Sequence, residues 1–534
     1  MRIRPAAILA ASVFIFAPGA FAQWTDDPQA NTPVAVSASG LTVPKMATSP
    51  DGSTWFAWFQ SVGSPNFYEV RAQLLDPAGN PQFGPSGTLV SDNPNPSSLV
   101  DWDMTVDASG NAFMAFTDSR AGDDRDIYAY LIAPDGTSLW GPGGVTVSDN
   151  NDFEADPRVA ALSGGDYAVV WPRLQGADRG LRYQRISADG QIQLPAEGVR
   201  IAGGGTESPA FCAVAPTHDN GFIVSWVRNT ASFLSPRHVH AQRFDADGNT
   251  VWPGDFLVMS SATSVPIAHF PRLIVAPDGG AAVAWHDTRE GDFNTYVQRI
   301  DADGDLQFPA NGVAASNFAG RQQLDPAISF LPGTNDLIMF YNERNSAQSQ
   351  WGLSVQRFDE SGAKVLGPTG SELVALSSTN LSAPVSVASE DGATMVYARA
   401  TGAVTNELYA LRVDEFGSPV WSGPVAMSTV FSGKSRLRAT ADASGVVRAG
   451  WEDDRNGSGD IYAQSIGADG TLGAGGVTEC PGDVTGDGSV NLADLNLVLA
   501  NFGQQTSDGD ANGDGVVNLA DLNLVLANFG ISCN

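Results

Sequence analysis

Thr295-Tyr-Val-Gln-Arg-Ile300 runs directly into Asp301-Ala-Asp-Gly304, an alternating strand pattern followed by a tetrapeptide suited to a tight hairpin turn. Relatives of that turn end at Gly79, Gly136, Gly190, Gly248, Gly304, Gly362, Gly417 and Gly470, spaced 53 to 58 residues apart. A period of this size marks a repeat architecture whose units bury their faces against one another. Each unit holds the same four pieces. A short apolar strand comes first, often after a proline, as at Pro157, Pro271 and Pro326, where the missing N–H falls at the strand start. A second strand ends in an aromatic: Trp58, Phe116, Trp171, Trp226, Trp285, Phe340, Tyr397 or Trp451. A variable loop opens the third strand, and the Asp-Gly hairpin turns it into the fourth. Four antiparallel strands repeated eight times predict a mainly β fold, an eight-bladed β-propeller with seven blades as the alternative. The terminal aromatics are expected between neighbouring blades.

The propeller is expected over residues 23–478. Its last unit is cut short after Gly470, and Thr32-Pro-Val-Ala-Val-Ser-Ala38 reads like the missing fourth strand. Residues 31–39 are therefore expected to complete the last blade. Before them, Arg2 and Arg4, the apolar run Ala6 to Phe16, and Ala20-Phe21-Ala22 form a signal-peptide pattern over residues 1–22. That run is too short for a membrane span, and Pro18-Gly19 interrupt it. A secreted protein, extracellular or associated with a cell surface and not membrane-spanning, is the expectation. A net charge of −30 argues against nucleic acid as a partner, because phosphates would be repelled.

The loops after the second strands share a pattern: Asp118-Ser-Arg120, Asp287-Thr-Arg289, Asp453-Asp-Arg455 and the variant Asn342-Glu-Arg344. Other units place Arg173, Arg228 and Arg399 two residues after the aromatic. Arginines gathered on one face, among them Arg120, Arg289, Arg344 and Arg455, can bind carboxylated or sulfated sugars through forked hydrogen bonds. A residue repeated in nearly every unit also reads as an Asp–Arg pair that fixes a loop, since a catalytic site must break the repeat symmetry. His238 and His240 alternate along a third strand, as two metal ligands or simply two strand histidines. The turns differ from the Asp-box of sialidase-like propellers: in Asp245-Ala-Asp-Gly-Asn-Thr-Val-Trp252 glycine directly follows aspartate. No nucleophile elbow, phosphate loop or zinc-helix motif is present, so no catalytic residue is assigned.

Residues 479–534 read differently. Val490 to Gly503 recurs unchanged as Val517 to Gly530, and an Asp-rich loop precedes each copy. Calcium needs hard oxygens at alternating loop positions and a glycine at position six. The first loop offers Asp483, Thr485, Asp487, the Ser489 carbonyl, Asn491 and Asp494; the second offers Asp510, Asn512, Asp514, the Val516 carbonyl, Asn518 and Asp521. Two Ca²⁺ ions are expected, the first held less tightly because Thr485 is a poorer ligand. Each loop leads into one helix whose Leu495, Leu497, Val498 and Leu499, or their counterparts 522 and 524–526, would form one apolar face. Residues 480–534 carry seven Asp and no Lys, Arg or Glu, so metal binding should supply folding energy. Cys480 and Cys533 stand at its two ends, which suggests a disulfide staple, leaving Cys212 as a buried small hydrophobe.

Two such loops 27 residues apart, each closed by Asp and each followed by a single helix, resemble type I dockerins over essentially all of 480–534. The resemblance implies a cohesin-like partner bound through loop positions ten and eleven, here Leu492, Ala493, Leu519 and Ala520, with the identical copies able to dock in two orientations. It leaves two tasks for the propeller: a module that binds polysaccharide or protein, or a polysaccharide-degrading glycosidase or lyase.

Overall fold

A computed structural model describes residues 24–473 and 482–530 apart from 64–66, 96, 98, 121–124, 175–178, 206, 230–235, 267–269, 486–488, 507 and 513–514. The strands form eight four-stranded antiparallel sheets. Seven sheets take four consecutive strands. The eighth combines Lys434–Ala441, Val447–Asp453 and Asp460–Ile466 with Thr32–Ala35 from the other end of the chain. The innermost strands, from Leu41–Thr48 in blade one to Lys434–Ala441 in blade eight, each touch the next, and the eighth touches the first. The result is an eight-bladed propeller closed around a central channel.

Both faces of every blade are covered, which explains why the second strands are apolar almost throughout rather than alternating. Ala112–Asp118 and Ala281–Asp287 are buried at all seven positions. Eight apolar clusters result, one at each blade–blade interface. The aromatic at the end of the second strand packs against the preceding blade: Trp171 sits with Phe113 and Ile127 of blade two, Trp285 with Ile223 and Val239 of blade four. Blade six meets the expectation with the opposite face. Phe340 faces blade seven, and Tyr341 takes the position facing blade five. Successive strand residues point to opposite faces, so one step along the chain exchanges the two interfaces.

The Asp-Gly hairpins are a second interlock. Gly304 has φ of 95°, and a Cβ there would lie 2.9 Å from the Trp252 ring of the preceding blade. The Trp252 indole N–H donates to the Ala302 carbonyl, as Trp140 does to Ala188 and Trp421 to Ala468. At the closing interface the same contact is made by Trp24, whose indole donates to the Pro77 carbonyl at 3.0 Å, with the ring against Gly79. The N-terminal segment therefore supplies both a strand and the aromatic plug that the last blade lacks.

In the C-terminal region two helices, α1 (Leu492–Ala500) and α2 (Leu519–Ala527), carry matching caps: Asn491 and Asn518 accept from Ala493 and Ala520, and Asp494 and Asp521 reach back to the cap N–H. Val490, Val498, Val517 and Val525 are fully buried between them. The expected apolar face is narrower than its leucines suggested. Leu499 and Leu526 face solvent at about half exposure, because the buried stripe runs through Asp494, Leu495 and Val498.

Replacing Trp24 with alanine should destabilise the ring by about 3–5 kcal/mol, the usual cost of truncating a buried tryptophan. Calorimetry of the full chain would show this as a lower melting temperature; an unchanged melt would mean that the closing interface does not limit stability.

Candidate functional site

In blades two, five and eight the repeated Asp–Arg pairs resolve into a clasp. Arg289 pairs with Asp287, donates to the Asn311 carbonyl at 2.7 Å and to Ser260 Oγ at 2.9 Å, and lies 3.7 Å over the Tyr296 ring. Arg120 does the same with Asp118, the Gly143 carbonyl and Tyr128. Arg455 uses Asp453, the Ala30 carbonyl and Tyr462, so its clasp also holds the N-terminal segment. These guanidiniums tie the second strand to the start of the fourth. In blade six Arg321 pairs with Glu343 instead, and the Nε of Arg344 makes no hydrogen bond. Arg173 and Arg228 likewise pair with carboxylates, Glu154 and Glu207.

Symmetry breaks at the channel. Eight inner-strand residues pair with the residue that precedes each blade's interface aromatic: Lys45, Asp103, Arg158, Ala213, Arg272, Ala327, Val385 and Arg438. Two positions earlier in six of these strands stands a non-glycine residue with φ between 46° and 54°: Val43, Asp156, Phe211, Asp325, Ala383 and Arg436. Such left-handed residues are costly outside glycine, and the register shifts beside Val43, Phe211, Asp325, Ala383 and Arg436 mark β-bulges that re-aim the strand edge. The column itself holds four cations, one carboxylate and three small apolar residues, whereas the columns on either side of it carry no charge.

On the side of blades one to three the charges neutralise one another. Asp101 accepts from Lys45 at 2.7 Å and from Arg158 at 3.0 Å, and its N–H donates to Asp156. Burial pushes Lys45 down to about 8, with Asp101 opposing the shift and Arg438 and Arg158 adding to it. Asp101 is held below the usual carboxylate range, the two cations outweighing its burial.

The opposite wall, from blades five to eight, encloses a cavity of about 370 Å³. Arg272, Arg436 and Arg438 line it over Ala327, Ala383 and Val385, and no carboxylate lines it. Arg436 lies 3.5 Å from Glu452, whereas neither Arg272 nor Arg438 has a carboxylate within ion-pair distance among the described residues. Arg272 is exposed to the channel; the surrounding protein and Arg438 both lower its pKa, with Asp325 opposing. Sequence reading missed this wall. Its only signal is the column of unlike residues, visible once the eight units are set in register.

His238 and His240 share a strand, yet His240 is buried, stacked on Trp226 and edge-on to Phe256, with neither ring nitrogen hydrogen-bonded. Burial, with the Arg228 cation nearby, lowers its pKa to about 3, so the ring is neutral. No group of three or more His, Cys, Asp or Glu suited to a metal occurs among the described residues. Cys212 is free and buried, its thiol pushed up to about 12 by burial.

In the C-terminal loops the carboxylate at position twelve organises each turn. Asp494 accepts from the Thr485 N–H at 2.9 Å, the Thr485 hydroxyl at 2.7 Å and the Asn491 N–H at 2.8 Å. Asp521 accepts from the Asn512 and Asn518 N–H groups, and Asp510 from that of Gly515. Burial would raise both Asp494 and Asp521, but these hydrogen bonds hold them below the usual range. Position twelve is thus tied to positions three and nine of its own loop in both copies. Asp487, Asp514 and the Cys480–Cys533 pairing lie outside the described residues. Leu492, Leu499 and Phe502, with Leu519, Leu526 and Phe529, are between 46% and 64% exposed, an apolar ridge on each helix.

No protein-family model and no curated protein matches the chain. Among solved structures, an ulvan lyase bound to -[GlcA(1-4)Rha3S]- is similar at 12% identity and a TM-score of 0.43, over 75% of this chain and 96% of its own. An α-L-arabinanase from Penicillium chrysogenum in complex with arabinobiose is similar at 11% identity and 0.34, over 58% and 92%. A protein of unknown function from Dyadobacter fermentans is similar at 9% identity and 0.38, over 82% and 97%. The blade count rests on the sheet order of this chain alone.

Because His240 stays neutral in the folded state, the unfolded chain takes up a proton between pH 6.5 and about 3 that the folded chain refuses. Stability should fall with pH across that window by about 1.4 kcal/mol per unit from this residue. Urea melts of wild type and His240→Phe at pH 6.5 and pH 5 should differ in their pH response by about 2 kcal/mol; parallel responses would refute a buried neutral imidazole.

Proposed function

We propose that this chain is an exported propeller carried by a calcium-folded docking module, with the propeller directed at a carbohydrate. The observation that carries the reading is the pair of closely similar loop–helix units, in which loop N–H groups, and in the first copy the Thr485 hydroxyl, converge on Asp494 and Asp521 while each unit leaves an apolar ridge uncovered. Asp483, Thr485, Asp487, the Ser489 carbonyl, Asn491 and Asp494 would hold one Ca²⁺; Asp510, Asn512, Asp514, the Val516 carbonyl, Asn518 and Asp521 would hold the other. The metal would neutralise carboxylates that otherwise repel one another and would fix the helix orientation. A cohesin-like partner would then cover the surface around Leu492, Ala493, Leu519 and Ala520, whose exposed leucines cost little to desolvate.

A second reading of the propeller is favoured by the channel. One half of its wall is charge-neutralised and the other is an arginine-lined cavity. A polysaccharide-degrading enzyme, a hydrolase or lyase acting on O-glycosyl bonds, needs such a departure from eightfold symmetry to hold a substrate in one orientation.

Removing Ca²⁺ with EDTA should abolish the helical circular-dichroism signal of residues 480–534, and Asp521→Ala should raise the Ca²⁺ concentration needed to restore it by tenfold or more, roughly the effect of losing one charged ligand. Helix that persists in EDTA would rule out the docking reading. Incubating the full chain with neutral and acidic polysaccharides, and following reducing ends and unsaturated products, separates the two readings of the propeller: turnover supports the enzyme, binding without turnover supports the module.

A further inference from the structure

The geometry points to an oxyanion site in the central channel: Arg272 and Arg438, with Arg436 beside them, receive the carboxylate or sulfate of an acidic glycan. The choice of a glycan as carrier rests on the carbohydrate reading of the propeller; the anion site itself rests on the channel wall.

Charge placement is the first argument. The chain holds 59 acidic and 29 basic residues, yet three arginines and no carboxylate line this cavity. Other arginines described above are clasped by carboxylates, as Arg120, Arg173, Arg289 and Arg455 are. Arg272 and Arg438 have no such partner among the described residues, and Arg438 stands close enough to disfavour the charge on Arg272. Arginine does not relieve that repulsion by deprotonating. An incoming oxyanion relieves it, and two guanidinium forks can engage the oxygens of one carboxylate or sulfate.

The second argument is backbone strain. Arg436 and Ala383 hold left-handed φ values of 54° and 53° at the bulges that shape this wall. The bulge in the innermost strand of blade eight, between Ser435 and Arg438, is where Arg436 and Arg438 both come to line the cavity. The third argument is shape. About 370 Å³ is the size of a small ligand pocket, and Ala327, Ala383 and Val385 offer an apolar floor for the C–H face of a sugar ring.

The long-range field opposes a polyanion, since the whole chain carries −30. Binding of an acidic glycan would therefore be local, and it should weaken as salt screens the arginines.

The test is isothermal titration of the full chain, in Ca²⁺, with oligogalacturonate, a sulfated dextran oligosaccharide and neutral dextran. Tighter binding of either acidic probe than of neutral dextran is expected; which one binds identifies carboxylate or sulfate as the group read. Arg272→Gln/Arg438→Gln should weaken that binding about tenfold or more, the effect of removing two charged forks. Arg272→Gln alone, at a channel-exposed side chain, should weaken it about threefold and covers the case in which the double variant fails to fold. The inference is overturned if neither acidic probe outbinds dextran, or if the substitutions leave acidic binding unchanged in a folded chain. Tighter binding of dextran would leave the carbohydrate reading standing while removing this one.

Discussion

The pairing of Thr32–Ala35 with Asp460–Ile466 is the contact on which the rest of the ring depends. Every other blade is covalently continuous, so its four strands fold as neighbours in sequence. This blade must bring together residues more than 400 positions apart. The closing interface compensates with several contacts on one short segment: the Trp24 ring on the blade-one hairpin, the Asn31 amide donating to the Met427 carbonyl, and the Arg455 clasp on Ala30 and Asn31. Without it, both the first and the last interface would expose apolar faces that their neighbours bury.

Closure also defines the channel. Eight inner strands can face a common axis only when the ring is complete, and the charged residues that meet there come from blades far apart in sequence. Arg438 lowers the pKa of Lys45 across the first and last blades. The cavity wall draws on four consecutive blades. Whatever binds there reads the assembled ring rather than any one repeat.

The legibility of this chain follows from how each feature is encoded. Blade number was readable because the hairpin glycines are spaced by a structural unit and lie at positive φ in every blade. Strand order was readable because turn residues separate apolar runs. Which face a side chain takes was less so: Phe340 and Tyr341 are both buried aromatics, and only the partner blade distinguishes them. Leu499 reads as core by composition, but the helix is packed along too narrow a stripe to cover it. The Asp–Arg pairs were visible as a motif, and their clasping role follows once Asn311, Gly143 and Ala30 are seen to accept from the same guanidinium position. The channel arginines were hidden, because a residue that departs from a repeat looks like ordinary variation until the ring aligns it with seven counterparts.

The last described residue of the ring, Gly473, lies against Trp24, close to where the N-terminal segment enters. The strand that leads to it, Asp460–Ile466, is hydrogen-bonded on both sides, to Val447–Asp453 and to Thr32–Ala35. A chain leaving an edge strand could be peeled away one bond at a time under tension. Here the strand nearest the C-terminal module is an interior one, so a mechanical load arriving from that module would have to shear two ladders at once before the ring opened.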